Sequence, residues 1–139
     1  MAFDPFAEFR MDGHTVLITG GAQNIGAGIA KTLSGAGARV MIADLDGEMA
    51  AGTAARIAGE TGNDCRGMAC DVTDKGQIDA AVAATAEAFG GISTLVNNVG
   101  WGGRQPDPAA IPEEEFVNSY RLNTISACPS SDNLGHRTP

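Results

Sequence analysis

Histidine, cysteine, lysine and aromatic side chains are all scarce in this chain of 139 residues, and each scarcity removes a class of function. The two histidines, His14 and His136, lie far apart and outside any ligand spacing, so no metal site is expected. Cys65, Cys70 and Cys128 make an odd, unpatterned set, which reads as reduced thiols in a cytoplasm rather than a disulfide framework. Cys65 and Cys70 stand an odd number of positions apart on one predicted strand, so they should face opposite sides. Lysine and arginine together number 9 against 17 acids, and the net charge of −8 argues against nucleic acid or an anionic membrane as partner. No run approaches the ~20 apolar residues of a membrane span. The N-terminal residues also lack the basic and apolar regions of a signal peptide, so a cytoplasmic location is expected. The length fits one ordinary domain.

What is abundant is glycine, 19 residues, and it is concentrated where structure changes. Thr15-Val16-Leu17-Ile18-Thr19 is a β-branched and aliphatic run, the signal of a buried strand. Gly20-Gly21-Ala22-Gln23-Asn24-Ile25-Gly26 follows at once, and a helical pattern then begins with Ile25, Ile29 and Leu33. Strand, glycine turn and helix form a phosphate site, because backbone N–H groups at a helix start carry partial positive charge and glycine permits close approach.

Spacing separates the glycine motifs that compete for this segment. Gly21 and Gly26 are spaced as in a phosphate loop of nucleotide triphosphatases, but Ala27 and Gly28 stand where Lys and Ser or Thr are required. Gly-x-Gly-x-x-Gly fails at Ala22 when started from Gly20, and at Lys31 when started from Gly26. Thr-Gly-x-x-x-Gly-x-Gly fits, with Asn24 in place of the middle glycine. Asn tolerates positive φ better than other side chains, so the turn is expected to survive.

Residues 1–12 read as an acidic arm dotted with Phe3, Phe6 and Phe9. Strands are expected at 14–19, 38–44, 65–70 and 92–96, and helices at 25–36, 47–60, 75–89 and from 113 onward. The second helix shows Met49, Thr53 and Ile57 on one face, and the third shows Ile78, Val82 and Phe89. Thr73 or Asp74 is placed to cap the third. A loop at 101–111 carries Trp101, and Pro112 followed by Glu113, Glu114 and Glu115 marks the start of the last helix. Phe116, Tyr120 and Asn123 share a face of it.

Strict β–α alternation implies an α/β fold, a three-layer Rossmann-like arrangement with a parallel sheet of about four strands in the order 3-2-1-4. Gly20, Asp44, Asp71 and Asn97 then fall on one edge of the sheet, where such folds bind ligands. Asp44 ends the second strand 18 residues after Gly26, near the spacing of a ribose-binding acid. Its carboxylate would repel a 2′-phosphate, and neither Leu45 nor the glycine turn offers a cation, so NAD is preferred over NADP. Asp71 and Val72 are candidates for adenine contact, the acid by hydrogen bond and the valine by packing, although an acid such as Asp71 taken alone is more often a neighbour of a helix cap.

Thr19-Gly20…Gly26, Gly37-Ala38-Arg39-Val40, Asp44, Asp71-Val72, Asn97-Asn98-Val99-Gly100 and Leu122-Asn123 together resemble the short-chain dehydrogenase/reductase family, over about residues 13–127. Within it the glycines after the fourth strand and Tyr120-Arg121-Leu122-Asn123 look most like bacterial hydroxysteroid dehydrogenases acting on bile acids. The resemblance implies hydride transfer between a nicotinamide cofactor and a secondary alcohol or ketone. Gly20, Asn24, Ile25, Gly26, Asp44, Leu45, Asp71, Val72, Asn97, Asn98 and Gly100 would hold the cofactor, and Asn123 would hold a water of the proton relay. Val99 stands where the family has alanine and adds bulk beside the cofactor.

One departure bears on activity. The family transfers its proton through a Tyr-x-x-x-Lys pair beyond the fifth strand. Here Tyr120 is the only tyrosine, Thr124 stands four residues on, and Lys31 and Lys75 are the only lysines. The pair is absent, and the chain alone is expected to be inactive. Residues 128–139 have no amphipathic period, and Pro129 would break a helix. They are expected to be a disordered tail foreign to the family, the mark of a frameshift or other truncation. The fourth strand would then be an apolar edge, the family's homo-oligomer interface would be disrupted, and the fold would be marginal and prone to aggregate.

Overall fold

A computed structural model describes residues 7–101 and 111–128. The expectations for Phe3 and Phe6, for most of the loop after Trp101, and for the tail beyond Cys128 lie outside the described residues. Strands β1 (Thr15–Thr19), β2 (Arg39–Asp44), β3 (Cys65–Ala69) and β4 (Thr94–Asn97) alternate with helices α1 (Asn24–Gly35), α2 (Gly47–Thr61) and α3 (Lys75–Phe89). The helix α4 (Glu113–Tyr120) follows and runs into a π-helical turn at Arg121–Ile125. All pairings are parallel and the order is β3-β2-β1-β4, as the alternation predicts.

The sheet is covered on both faces, which explains why β1 and β2 are apolar throughout rather than alternating. On one face Val16, Ile18, Val40, Ile42 and Cys65 pack against Ala30 of α1 and Ala50, Ala54 and Ile57 of α2. On the other, Leu17, Met41 and Ala43 pack against Ile78, Val82 and Phe89 of α3. Cys65 belongs to the first cluster and Cys70 to the second, so the two thiols do point to opposite sides. Each fully buried Val, Leu or Ile contributes about 1.5–3 kcal/mol. The ion pairs Lys31–Glu60, Arg56–Glu60 and Lys75–Asp79 are solvated and add little beside that.

Two helix faces differ from the sequence reading. In α1 the buried side is Gly26, Ala30 and Ser34, while Ile25 is 76% exposed. In α2 it is Ala50, Ala54 and Ile57, and Met49 is 41% exposed. The fully buried stripe of α1 lies one residue along from the bulky pattern, with Ile29 and Leu33 packed at its border. In α2 Ile57 keeps its expected place while Ala50 and Ala54 replace Met49 and Thr53, because these helices press against the sheet through small side chains. A Cβ on Gly67 of β3 would collide with the backbone of Ala50, and one on Gly47 would meet Ala69 Cβ at 2.8 Å. Glycine within a strand here marks a close backbone approach.

Boundaries also shift. β4 begins at Thr94 rather than Ile92, β3 ends at Ala69, and α1 starts at Asn24. The helix from 113 is not one uniform helix, since at Arg121 it widens, with Ser126 N–H donating to Arg121 O at 3.0 Å. Gly62 (φ 77°) and Gly90 (φ 86°) close α2 and α3 in the left-handed conformation, each N–H returning to a carbonyl of the last turn. Asp74, not Thr73, caps α3.

Candidate functional site

Parallel strands deliver their C-terminal ends to one edge, and there a cleft of about 380 Å³ opens. Gly20, Asn24, Ile25 and Gly26 line it from the glycine turn, Asp44 and Leu45 from the end of β2, and Asp71 and Val72 from beyond β3. Asn98 and Gly100 line it from beyond β4. Two residues named from sequence stand elsewhere. Asn97 lies within β4 opposite Thr19, and Asn123 is turned to the loop after β4. Gln23, Cys70, Val99 and Leu122 also line the cleft. Of these Gln23, Val99 and Leu122 lie in stretches that the sequence motifs include, though none is named as a site residue from sequence; Cys70 reaches the cleft by tertiary placement.

The turn is shaped for close approach. Gly20 has φ 65°, and a Cβ there would stand 2.9 Å from Val99 Cγ2. Gly26 has no room for a side chain at all, since a Cβ would run into Gly20 O and lie 2.6 Å from Asn98 Nδ2. Asn24 takes φ 51° and is the one non-glycine residue at positive φ among those described, as its position in the motif requires. Asn98 ties β4 to the turn: its Nδ2 donates to Gly20 O at 2.8 Å and to Thr19 O at 3.3 Å.

The electrostatics favour an anion beside the turn. Asp46 caps α2 by accepting from Met49 N–H at 2.9 Å, and Asp74 caps α3 by accepting from Gly76 and Gln77 N–H. At the N-terminus of α1, Gln23 makes no such bond, and no acid occupies the first turn. The positive end of that helix therefore faces the cleft without a side chain to neutralise it.

Asp44 sits across the same cleft. Its Oδ2 accepts Ala22 N–H at 3.0 Å and its Oδ1 accepts Asp46 N–H at 3.3 Å, which fixes the carboxylate while each oxygen keeps a lone pair. Among the described residues, no lysine or arginine lines either this cleft or the open groove beside Leu45, Asp46 and Glu48. Asp71 holds a turn: its Oδ1 accepts from both Thr73 N–H and Thr73 Oγ1. The Cys70 thiol at the floor is pushed up by burial, with Asp71 adding to the shift, so it is a poor nucleophile.

Asn123 works as a bracket. Its Oδ1 accepts Trp101 N–H at 2.8 Å and its Nδ2 donates to Trp101 O at 2.9 Å and to Ser119 Oγ at 3.0 Å. The π-helical turn thus grips the chain leaving β4, and Leu122 beside it packs on the α3 face. Tyr120 is 60% exposed, and the two lysines are engaged with Glu60 and Asp79.

A four-stranded parallel sheet with an uncapped helix start at its ligand edge and an acid at the end of β2 is the arrangement on which α/β folds of the Rossmann class are built. The chain belongs to the short chain dehydrogenase family, whose profile matches residues 14–133. D-threitol dehydrogenase of Mycolicibacterium smegmatis is 45% identical over 93 residues, which are 67% of this chain and 35% of that protein. The 7alpha-hydroxysteroid dehydrogenase of Escherichia coli is 33% identical over 117 residues, 84% of this chain and 45% of that one. A crystal structure of hydroxysteroid dehydrogenase from Escherichia coli superposes with a TM-score of 0.85 at 31% identity, over 93% of this chain and 54% of that one. The chain therefore spans between a third and about half of the length of these relatives.

Proposed function

We propose that this chain is the NAD-binding half of a short-chain oxidoreductase acting on a secondary alcohol or ketone. The observation that carries the reading is Asp44, a fixed carboxylate at the end of β2 facing a cleft with no cation in its described lining. Two acceptor oxygens suit the adenosine ribose hydroxyls, and the same charge opposes a 2′-phosphate, which favours NAD over NADP. The residues present fit the cofactor. Gly20 and Gly26 let the turn pack closely on itself and on Asn98 and Val99, and the cleft they line with Asn24 and Ile25 at the start of α1 would take a pyrophosphate. Leu45 offers apolar contact beside the ribose, and Asp71 and Val72 border the adenine side, while Asn97, Asn98 and Gly100 carry the strand end on the far side. Bound nicotinamide would supply the hydride chemistry. The relatives' names span a sugar alcohol and a hydroxysteroid, which supports an alcohol as the substrate class without choosing between them.

The chain by itself binds the nucleotide and does not turn over. Proton transfer requires a tyrosine whose pKa a lysine lowers, and Tyr120 has Thr124 where that lysine would stand. Asn123 is spent on the backbone of Trp101, a supporting role compatible with its expected place beside a proton relay. Fluorescence titration with NADH and NADPH, alongside assays with NAD and a panel of alcohols, tests both statements. Saturable NADH binding stronger than NADPH binding, with no turnover, is the expected result. Equal affinity for the two would refute the assignment to Asp44, and turnover with any alcohol would refute the inactivity of the chain.

A further inference from the structure

Thr53 lies on α2, outside the cleft, and no part of the glycine motif includes it. Helical threonines ordinarily bond back to the carbonyl four residues before them. Thr32, Thr61 and Thr85 all do so, to Gly28, Ile57 and Ala81. Thr53 does not; its Oγ1 leaves the helix and donates to Ala22 O at 2.7 Å. Ala22 is buried, 3% exposed, and is the residue whose N–H holds Asp44 Oδ2 at 3.0 Å. One residue of the turn is thus gripped on both sides, by α2 through its carbonyl and by the acid of β2 through its amide.

We infer that Thr53 is a positioning residue for the ribose-binding acid, acting through Ala22 on Asp44. The inference rests on the nucleotide reading above and extends it to a side chain that touches no ligand. The Thr53 hydroxyl fixes the orientation of the Ala22 peptide units, and Ala22 N–H in turn occupies one lone pair of Asp44 Oδ2. The remaining lone pairs could then accept from a vicinal diol in the cleft. Without the hydroxyl the turn can rotate, and the carboxylate loses the donor that holds it in place.

The experiment uses Thr53→Val, which keeps the shape and removes the hydroxyl, with Thr53→Ser as the restoring variant, each made with Asp44 and with Asp44→Ala. Thr53→Val should weaken NADH binding by about fivefold, the weight of one intramolecular hydrogen bond. Thr53→Ser should restore it, and in the Asp44→Ala chain Thr53→Val should have no further effect. An equal loss in both backgrounds would overturn the inference, because a general loosening of the fold would act with or without the acid. Amide hydrogen exchange in the ligand-free chain supplies a readout independent of NADH. Thr53→Val should speed exchange at Ala22 while that at Ile42 in the core of β2 stays unchanged, and unaltered Ala22 exchange would overturn the link. If no variant, nor the natural sequence, binds NADH, the nucleotide reading fails while the exchange result still decides whether Thr53 holds the acid's donor in place.

Discussion

Asp74 shows how a single carboxylate sets the acid limit of one helix. Its hydrogen bond from the Gln77 side chain, and those from the backbone of Gln77 and Gly76, hold its carboxyl below the ordinary 3.8. A group whose folded value is depressed contributes stability above its unfolded value, and that contribution is lost as pH falls through the folded one. Asp74→Ala should therefore lower Tm by a few degrees at neutral pH. The gap from the natural sequence should shrink progressively as pH drops below about 3.8. Thermal melts followed by circular dichroism at a series of pH values check this; a gap that stays constant into strong acid would mean that the charge of the cap is irrelevant.

Among the elements, α2 and β3 are joined most closely, and glycine permits it. Gly67→Ala forces α2 away from the sheet, since the new methyl would overlap Ala50 C and O, which as backbone atoms cannot swing aside. Overpacking of this kind costs about 1–3 kcal/mol, and chemical denaturation should show a loss in the upper part of that range. A neutral result would mean that the helix can shift freely. The same packing explains what could be read from the sequence and what could not. Strand positions, helix positions and their order follow from alternation, caps and breakers, and they stand within a residue or two in the structure. The buried faces of α1 and α2 follow only in part: Ile57 is buried and Ile29 and Leu33 pack on the core, but hydrophobic periodicity weights Ile25 and Met49 above alanine and glycine. Here the close approach of backbones selects the small residues. At the site, the glycines and Asp44 are legible because motif chemistry fixes their spacing. Cys70 at the cleft and the reach of Thr53 are not, since each depends on which helix lies over which strand.

Across the whole molecule the two borders of the sheet are unlike. β3 is flanked by the Asp64–Arg66 ion pair and carries charge along its margin. β4 presents Thr94, Leu95 and Val96, and no strand among the described residues pairs with its far side. Uncharged margins of that kind recruit other chains. Light scattering should find the purified chain associating as its concentration rises, and Thr94→Lys should reduce that association; a monomer at all concentrations would refute it. No helix among the described residues is long and apolar enough to cross a membrane, so lipid is no alternative cover by that route.

The pairing of β1 with β4 has a kinetic meaning as well. Ser93, just ahead of β4, bonds Thr15 N–H and Thr15 O across 78 residues of chain. The parallel β1–β2 and β2–β3 pairs close through far shorter crossovers, and long closures are entropically the slowest to form. β4 is thus expected to be the last strand to arrive, and its pairing places Asn98 over Gly20 and completes the cleft. A nascent chain with three strands in place has a hydrophobic core but no pocket. On that order the cleft is expected to form with the last strand rather than at any earlier stage.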